Sequence, residues 1–389
     1  MLARIWGHLS GRRRLQFAGL LLVMLASGLV ELVSLGAVLP FLAVLSNPQQ
    51  LWRQPTFQGL AIWFGYSEPE QLAVPVTVAF ALIAVLAALI RLLNLRLNGL
   101  LSAAAGSDLS SEAYKRTLYQ PYLVHLQRNS STLIAAITEH IGFTVLALSA
   151  ALQIMSSFVV VACLIIGLLL INWTVAVPTA ALFGLAYGLV AITTRDRLRQ
   201  NGAKIAAAAN QRVQALQEGL GAIRDVLLDG TQTAYYEVYR TADTTQRHME
   251  SINIFLAMFP RYVFEALGLV AIATLGGFLV VQQGNGAAVI PLLGAMALGA
   301  QRILPALQQI YCNWANLNSW STSLATIVAL VDQAVPQQFS CAEPLPLNHA
   351  VRLQGVCFRY DTELEDVLHQ VELEIRRGER IGLIGATGS

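Results

Sequence analysis

The sequence predicts an all-α polytopic membrane domain of six long transmembrane helices, followed by the β-rich start of a soluble α/β domain. Three observations predict it. Hydrophobic residues make up 55% of the 389-residue chain and charged residues only 12%, with a mean hydropathy of +0.56. Soluble domains carry roughly 25% charged residues, so a water-exposed surface of this size could not be covered by what is present. Apolar stretches able to cross a hydrocarbon core of about 30 Å recur six times. Past residue 350 the hydrophobic period changes from that of a helix to the two-residue alternation of strands.

The six stretches run Leu15–Leu45, Leu72–Arg91, Leu133–Ile171, Val175–Thr194, Ile254–Val281 and Ala287–Ala306. The first could be taken for a secretory signal, with Arg12-Arg13-Arg14 ahead of it and Ala26-Ser27-Gly28 as a small-residue site. It continues apolar to Leu45, too far for a signal and far enough for a span. Leu92–Tyr119 and Arg195–Gln217 keep apolar residues at helical spacing between polar ones, which predicts helices projecting into water. Basic residues collect before the first stretch, between the second and third, and between the fourth and fifth (Arg195 to Arg247). The alternate connections hold Arg53 and little else. By the positive-inside rule both termini and the two long connections face the cytoplasm.

Net charge is +2, with no basic, aromatic-interleaved surface that would suggest nucleic acid. Cys163, Cys312, Cys341 and Cys357 have neither disulfide-framework nor zinc spacing. The expected domains are 1–331 in the membrane, a proline-containing linker over 332–350, and 351–389 as the start of a soluble domain. Within the last, Val351, Leu353 and Cys357, then Val371, Leu373 and Ile375, alternate with polar neighbours. Arg380–Ile384 reads as a buried strand leading into Gly385-Ala386-Thr387-Gly388-Ser389.

That last run supplies the first five positions of G-x-x-x-x-G-K-[ST], in which successive backbone N–H groups wrap a phosphate. The lysine and the Mg²⁺-holding hydroxyl of the pattern fall beyond Ser389. The 389 residues by themselves are therefore expected not to hydrolyse ATP, and to be part of a longer reading frame. Val356–Tyr360 and Leu368–Ser389 together resemble the beginning of an ABC nucleotide-binding domain, a P-loop NTPase. The resemblance implies ATP and Mg²⁺ as cofactors of the complete protein, with Tyr360 stacking on adenine and Gly385, Ala386, Thr387, Gly388 and Ser389 at the phosphates. No catalytic residue is assigned.

The membrane half resembles the six-helix exporters of the same family. Tyr119–Ser131 is similar to a first coupling segment, with Pro121, Tyr122, His125 and Arg128 at its tip; Gly219–Gly230, with Ile223, Arg224 and Asp225, is similar to a second. The resemblance implies short cytoplasmic helices that dock on nucleotide-binding domains, and a second copy or a homologous half-transporter as partner. An ordinary helical connection is the alternative for each. Glu31–Pro48 and Phe259–Glu265 are similar to flippases of lipid-linked oligosaccharides, and that style also occurs in polysaccharide and peptide exporters. In the flippases the first outer loop contacts the lipid tail; Thr56–Gly65 is either such a helix or an aromatic interfacial anchor.

Ionisable groups in hydrocarbon are costly and mark function by default. Arg302, inside the sixth stretch, and Glu31, inside the first, are the candidate substrate residues, Arg302 toward a pyrophosphate or saccharide. A salt bridge or snorkelling explains either without a substrate, as it does the Arg261/Glu265 pair. His140 reads as structural. The expected function is ATP-driven export or flipping of an amphipathic or lipid-linked substrate by a dimer in a bacterial inner membrane. A non-catalytic ABC-like receptor or regulatory subunit and a peptide exporter are the alternatives.

Overall fold

The computed structural model describes residues 1–46, 49, 58–59, 68–283, 304–335, 346–359 and 365–385. Arg302, Tyr360 and Ala386–Ser389 lie outside the described residues, as do most of Thr56–Gly65 and of the linker. Two compact units are present: Met1–Thr117 with Ser130–Gln333, and Leu118–Asn129 with Ala334–Ser389.

The first unit is helical. Helix α1 covers Leu2–His8, α2 covers Gly11–Ser46, and α3 covers Ala73–Leu118. At 1.5 Å per residue the 46 residues of α3 reach about 69 Å, more than twice the hydrocarbon thickness. The predicted span and its polar continuation are thus one rod. Its apolar section exposes Val78, Leu82, Leu86 and Leu89, the surface a helix facing lipid requires.

A short helix, α5 (Ser130–Ala135), passes through a π-turn at Ala136–His140 into α6, Ile141–Gly221. Helical backbone continues through Asn172 and Trp173, where the sequence predicts a break between the third and fourth spans. A straight helix of 81 residues would separate its ends by about 120 Å. Instead Gln217 Nε2 donates to Ser130 Oγ at 2.7 Å and Arg212 donates to Glu139 at 2.7 Å. The run therefore folds back on itself, with its pairings centred on about residue 175, where the outer turn is expected.

Helix α7 (Ile223–Leu228) follows. It ends on Gly230 at φ +64°, with the Thr231 N–H returning to the Val226 carbonyl at 3.1 Å. This C-terminal cap needs a left-handed residue, and glycine supplies it without strain. Helix α8 spans Gln232–Gln283 and contains the expected fifth stretch. Residues 304–319 form α9, and α10 is Ser321–Val331. Among the described residues four helical segments are long and apolar enough to cross a membrane: Gly11–Val38, Ala73–Leu118, Ser130–Gly167 and Gln232–Val270. Most of the sixth predicted stretch lies outside the described residues.

Small residues set the spacing between helices where backbones or side chains approach closely. A Cβ on Gly202 would lie 2.0 Å from the Ser319 carbonyl oxygen, and one on Gly106 would lie 2.1 Å from Val145 Cγ2. One cluster of buried side chains joins Ile5 of α1, and Leu9 just after it, to Leu109 of α3 and to Leu324, Ile327 and Val331 of α10. Above that cluster His8 Nε2 lies 2.7 Å from Asp332 Oδ1.

Charges bind the water-facing helix ends. Arg13 donates to Asp108 at 2.8 Å. Arg212 bridges Glu139 and Asp243, the latter at 3.4 Å, and Asp243 also accepts from Arg247 at 2.7 Å. The hydrogen bond from Arg247, reinforced by Arg212, holds the Asp243 carboxyl below the usual carboxylate range.

In the second unit α4 is Tyr122–Leu126, preceded by Pro121. Strands β1 (Ala350–Phe358) and β2 (Leu368–Arg376) pair antiparallel, Ala350 opposite Arg376 and Phe358 opposite Leu368. The predicted alternation holds in β2, where Val371, Leu373 and Ile375 are the partly covered positions. The register is irregular between Leu353 and Val356, where Gly355 has φ +57°. Arg380–Ile384 is not a strand: Leu383 is 92% and Ile384 101% exposed. A central strand of an α/β sheet takes its shape from neighbours on both sides, and among the described residues the two-stranded sheet provides none for it.

Two outcomes follow. Gly202→Ala should lower the detergent-solubilised melting temperature, at a cost of about 1–3 kcal/mol, because backbone must move to admit the methyl group. Gly188→Ala, with nothing within 4 Å of the added carbon, should be neutral or stabilising by up to about 1 kcal/mol; equal melting temperatures for the two variants would contradict this packing. Asp243 precedes the apolar part of α8, and its lowered pKa means its contribution is present above the unfolded carboxylate value and lost as pH falls through the folded one. The melting-temperature gap between wild type and Asp243→Asn should therefore be open at pH 7 and close below about pH 4.

Candidate functional site

Four polar residues mark one face of the apolar helix α3: Arg91, Asn94, Asn98 and Ser102. Spaced by three, four and four, they form a stripe along the helix. Each finds a partner. Asn94 Nδ2 donates to Ser156 Oγ at 2.6 Å and Asn98 Nδ2 donates to Gln153 Oε1 at 3.0 Å, both partners on α6. Ser102 Oγ donates to the Asn98 carbonyl at 2.8 Å. Arg91 Nε approaches Glu31 Oε2 of α2 to 3.5 Å. Ser157 of α6 donates to Gln309 of α9 at 3.1 Å.

All of these residues but Asn98 and Ser102 line a cavity of about 330 Å³ between α2, α3, α6 and α9. Its floor and sides carry Glu31, Asn94, Gln153, Ser156, Ser157 and Gln309, with Leu95, Val160 and Leu164 as apolar wall. The Glu31 side chain is 7% exposed and that of Arg91 53% exposed, so the carboxylate lies inside and the guanidinium at the rim. Asn94 Oδ1 is buried and has no hydrogen-bond partner among the described residues. A buried amide oxygen left unpaired costs roughly 1–3 kcal/mol. The arrangement offers an acceptor, a carboxylate and a guanidinium to whatever enters.

Of the residues singled out in the sequence, Glu31 is in this cavity. Arg302 lies outside the described residues. Arg261 and Glu265 are exposed on α8. His140 is fully buried away from the cavity, with Nδ1 3.0 Å from Ser323 Oγ and Nε2 3.2 Å from Asn210 Oδ1. Since an amide oxygen only accepts, Nε2 carries the proton and Nδ1 takes the serine's. Asn94, Asn98, Gln153, Ser156 and Gln309 were not legible from formal charge. Their signal is amide and hydroxyl side chains at helical spacing within apolar runs.

Tyr122 and His125 lie on α4, with Pro121 capping its start, and Arg128 follows that helix. Ile223, Arg224 and Asp225 form the first turn of α7. Of the residues that the resemblance assigns to nucleotide, Gly385 is described, in irregular backbone after the exposed Ile384.

Comparison with known proteins agrees with this architecture. The family described as ABC transporter transmembrane region matches residues 19–294. An ATP-dependent lipid A-core flippase of Thiobacillus denitrificans is 22% identical over 283 residues, covering 72% of this chain and 49% of that protein. Its namesake from Chromohalobacter salexigens is 23% identical over 285 residues, covering 72% and 48%. The chain spans about half the length of the curated relatives it matches. A membrane-embedded helical unit with a polar interior, matched over most of its length, makes this an integral membrane protein that belongs to the ABC transporter transmembrane-region family.

Proposed function

We infer that the chain is the membrane half of an ATP-driven exporter or flippase for an amphipathic or lipid-linked substrate, working as a dimer. The observation that carries this reading is the cavity between α2, α3, α6 and α9: a buried carboxylate and unpaired amide oxygen within helices otherwise built for lipid. Ionisable groups persist there only against a cost, and a polar headgroup entering the cavity offsets it. The flippase names of the relatives support a lipid cargo.

In this reading ATP and Mg²⁺ act at the complete nucleotide-binding domain, to which 351–389 contributes the opening strands and Gly385. ATP supplies the free energy that biases the membrane half between inward- and outward-facing states, by binding one of them more tightly. Helices α4 and α7 carry that bias between domains, and both chain ends face the cytoplasm of a bacterial inner membrane.

The test is the full-length protein in proteoliposomes holding a fluorescent glycolipid, with the accessible leaflet read by chemical quenching. ATP with Mg²⁺ should move the probe between leaflets, and a non-hydrolysable analogue should not. ATP hydrolysis with no lipid movement, in the presence of transported peptide, would point to a peptide exporter; no hydrolysis would point to a regulatory subunit. Arg302→Ala should reduce lipid movement on the order of tenfold while basal ATPase stays within about twofold. An equal loss of both would remove Arg302 from the substrate path.

A further inference from the structure

We propose that the cavity between α2, α3, α6 and α9 binds a zwitterionic aminoalkyl-phosphate headgroup, as of an ethanolamine phospholipid, with its ammonium on Glu31 and Asn94 Oδ1 and its phosphate at Arg91. This deepens the transport reading by naming a headgroup class for the same cavity, and rests on that reading for the cavity's place in a transport path.

Three features of the site lead there. The first is charge. Among the described residues of the lining, Glu31 and Arg91 are the ionisable ones, and their formal charges cancel. A bare anion entering the cavity would meet the Glu31 carboxylate, and a bare cation the Arg91 guanidinium. A ligand with both charges meets a partner for each. The second is depth. Glu31 is almost fully covered while more than half of the Arg91 side chain is accessible. An ammonium therefore enters first and a phosphate stays at the rim, the order in which a phospholipid presents the two from the tip of its headgroup. The 3.5 Å approach of Arg91 to Glu31 leaves guanidinium N–H groups able to serve a phosphate, which their planar fork suits.

The third feature is hydrogen-bond accounting. Asn94 spends its N–H on Ser156, Ser157 spends its hydroxyl proton on Gln309, and Gln153 accepts from Asn98. Most of the neutral polar groups thus serve one another, which disfavours a polyhydroxyl ligand that would need many of them. Among the described lining residues, the fully buried side-chain atom left without a partner is an acceptor, Asn94 Oδ1, on a residue only 8% exposed. A primary ammonium has three N–H donors and can serve both this oxygen and the carboxylate. A trimethylammonium has none.

The experiment reads binding, independent of ATP or transport. The full-length protein in nanodiscs of phosphoglycerol lipid is titrated with soluble dihexanoyl phosphoethanolamine, phosphocholine and phosphoglycerol and with octyl glucoside, followed by tryptophan fluorescence. The phosphoethanolamine should bind at least about tenfold more tightly than the other two phospholipids, the loss expected when a charge-assisted hydrogen bond goes unmade. Glu31→Gln should abolish that preference, and Arg91→Gln should weaken all three phospholipids alike. Equal affinities in the wild-type protein, tightest binding of octyl glucoside, or a preference that survives Glu31→Gln would each overturn the proposal. The wild-type series does not depend on either variant folding. Selective binding without ATP-driven lipid movement would leave this site standing and sink the transport reading; movement without selectivity would do the reverse.

Discussion

A buried polar side chain has no water to fall back on, and the membrane half is arranged around that fact. The amides of the α3 stripe bond to α6 rather than to solvent: Asn94 to Ser156 and Asn98 to Gln153. These bonds fix which face of α3 turns toward α6, because a rotation of either helix would strand several polar groups at once. Apolar packing alone would not define that angle, since lipid tails solvate Leu and Val as well as another helix does. The cavity is a product of the same constraint. It lies beside Glu31 and Arg91, with Asn94, Gln153 and Ser156 in its lining.

Small residues and charged layers complete the frame at different depths. Gly202 lets α6 touch the Ser319 carbonyl, and Gly106 lets α3 meet Val145. Nearer the helix ends, ion pairs replace small residues: Arg212 joins Glu139 to Asp243. Exposed pairs of this kind contribute modestly, but Arg212 is largely covered and serves two carboxylates on two helices. His140 ties α6 to α10 through Ser323 with no formal charge. The unit is thus sewn by neutral hydrogen bonds inside and by ionic ones outside.

The membrane character and the strand pair were legible because each rests on periodicity, which sequence carries openly. The helix-to-strand change near residue 350 appears in the structure as β1 and β2. Arg380–Ile384, expected as a strand, is irregular and exposed among the described residues: an apolar run shows what a segment would bury and not which neighbours cover it. The candidate site was half legible. Glu31 stood out as a charge in an apolar run, whereas Asn94 and Ser156 are ordinary residue types, far apart in sequence. Their significance comes from meeting at 2.6 Å. Reading amide and hydroxyl spacing on α3 would have found the stripe, though not its partners on α6.

The π-turn at Ala136–His140 carries one residue more than an α-helical turn, with the Ile141 N–H reaching the Ala136 carbonyl. Everything downstream on α6 inherits that extra residue as an angular offset. Taking it out would rotate the following helix by about 100°, swinging Gln153 and Ser156 away from α3 and opening the wall of the cavity. A local insertion near the helix start thus acts as the phase setting for a polar site several turns away, and a single-residue indel there would rewrite what the cavity presents while leaving its own neighbourhood helical.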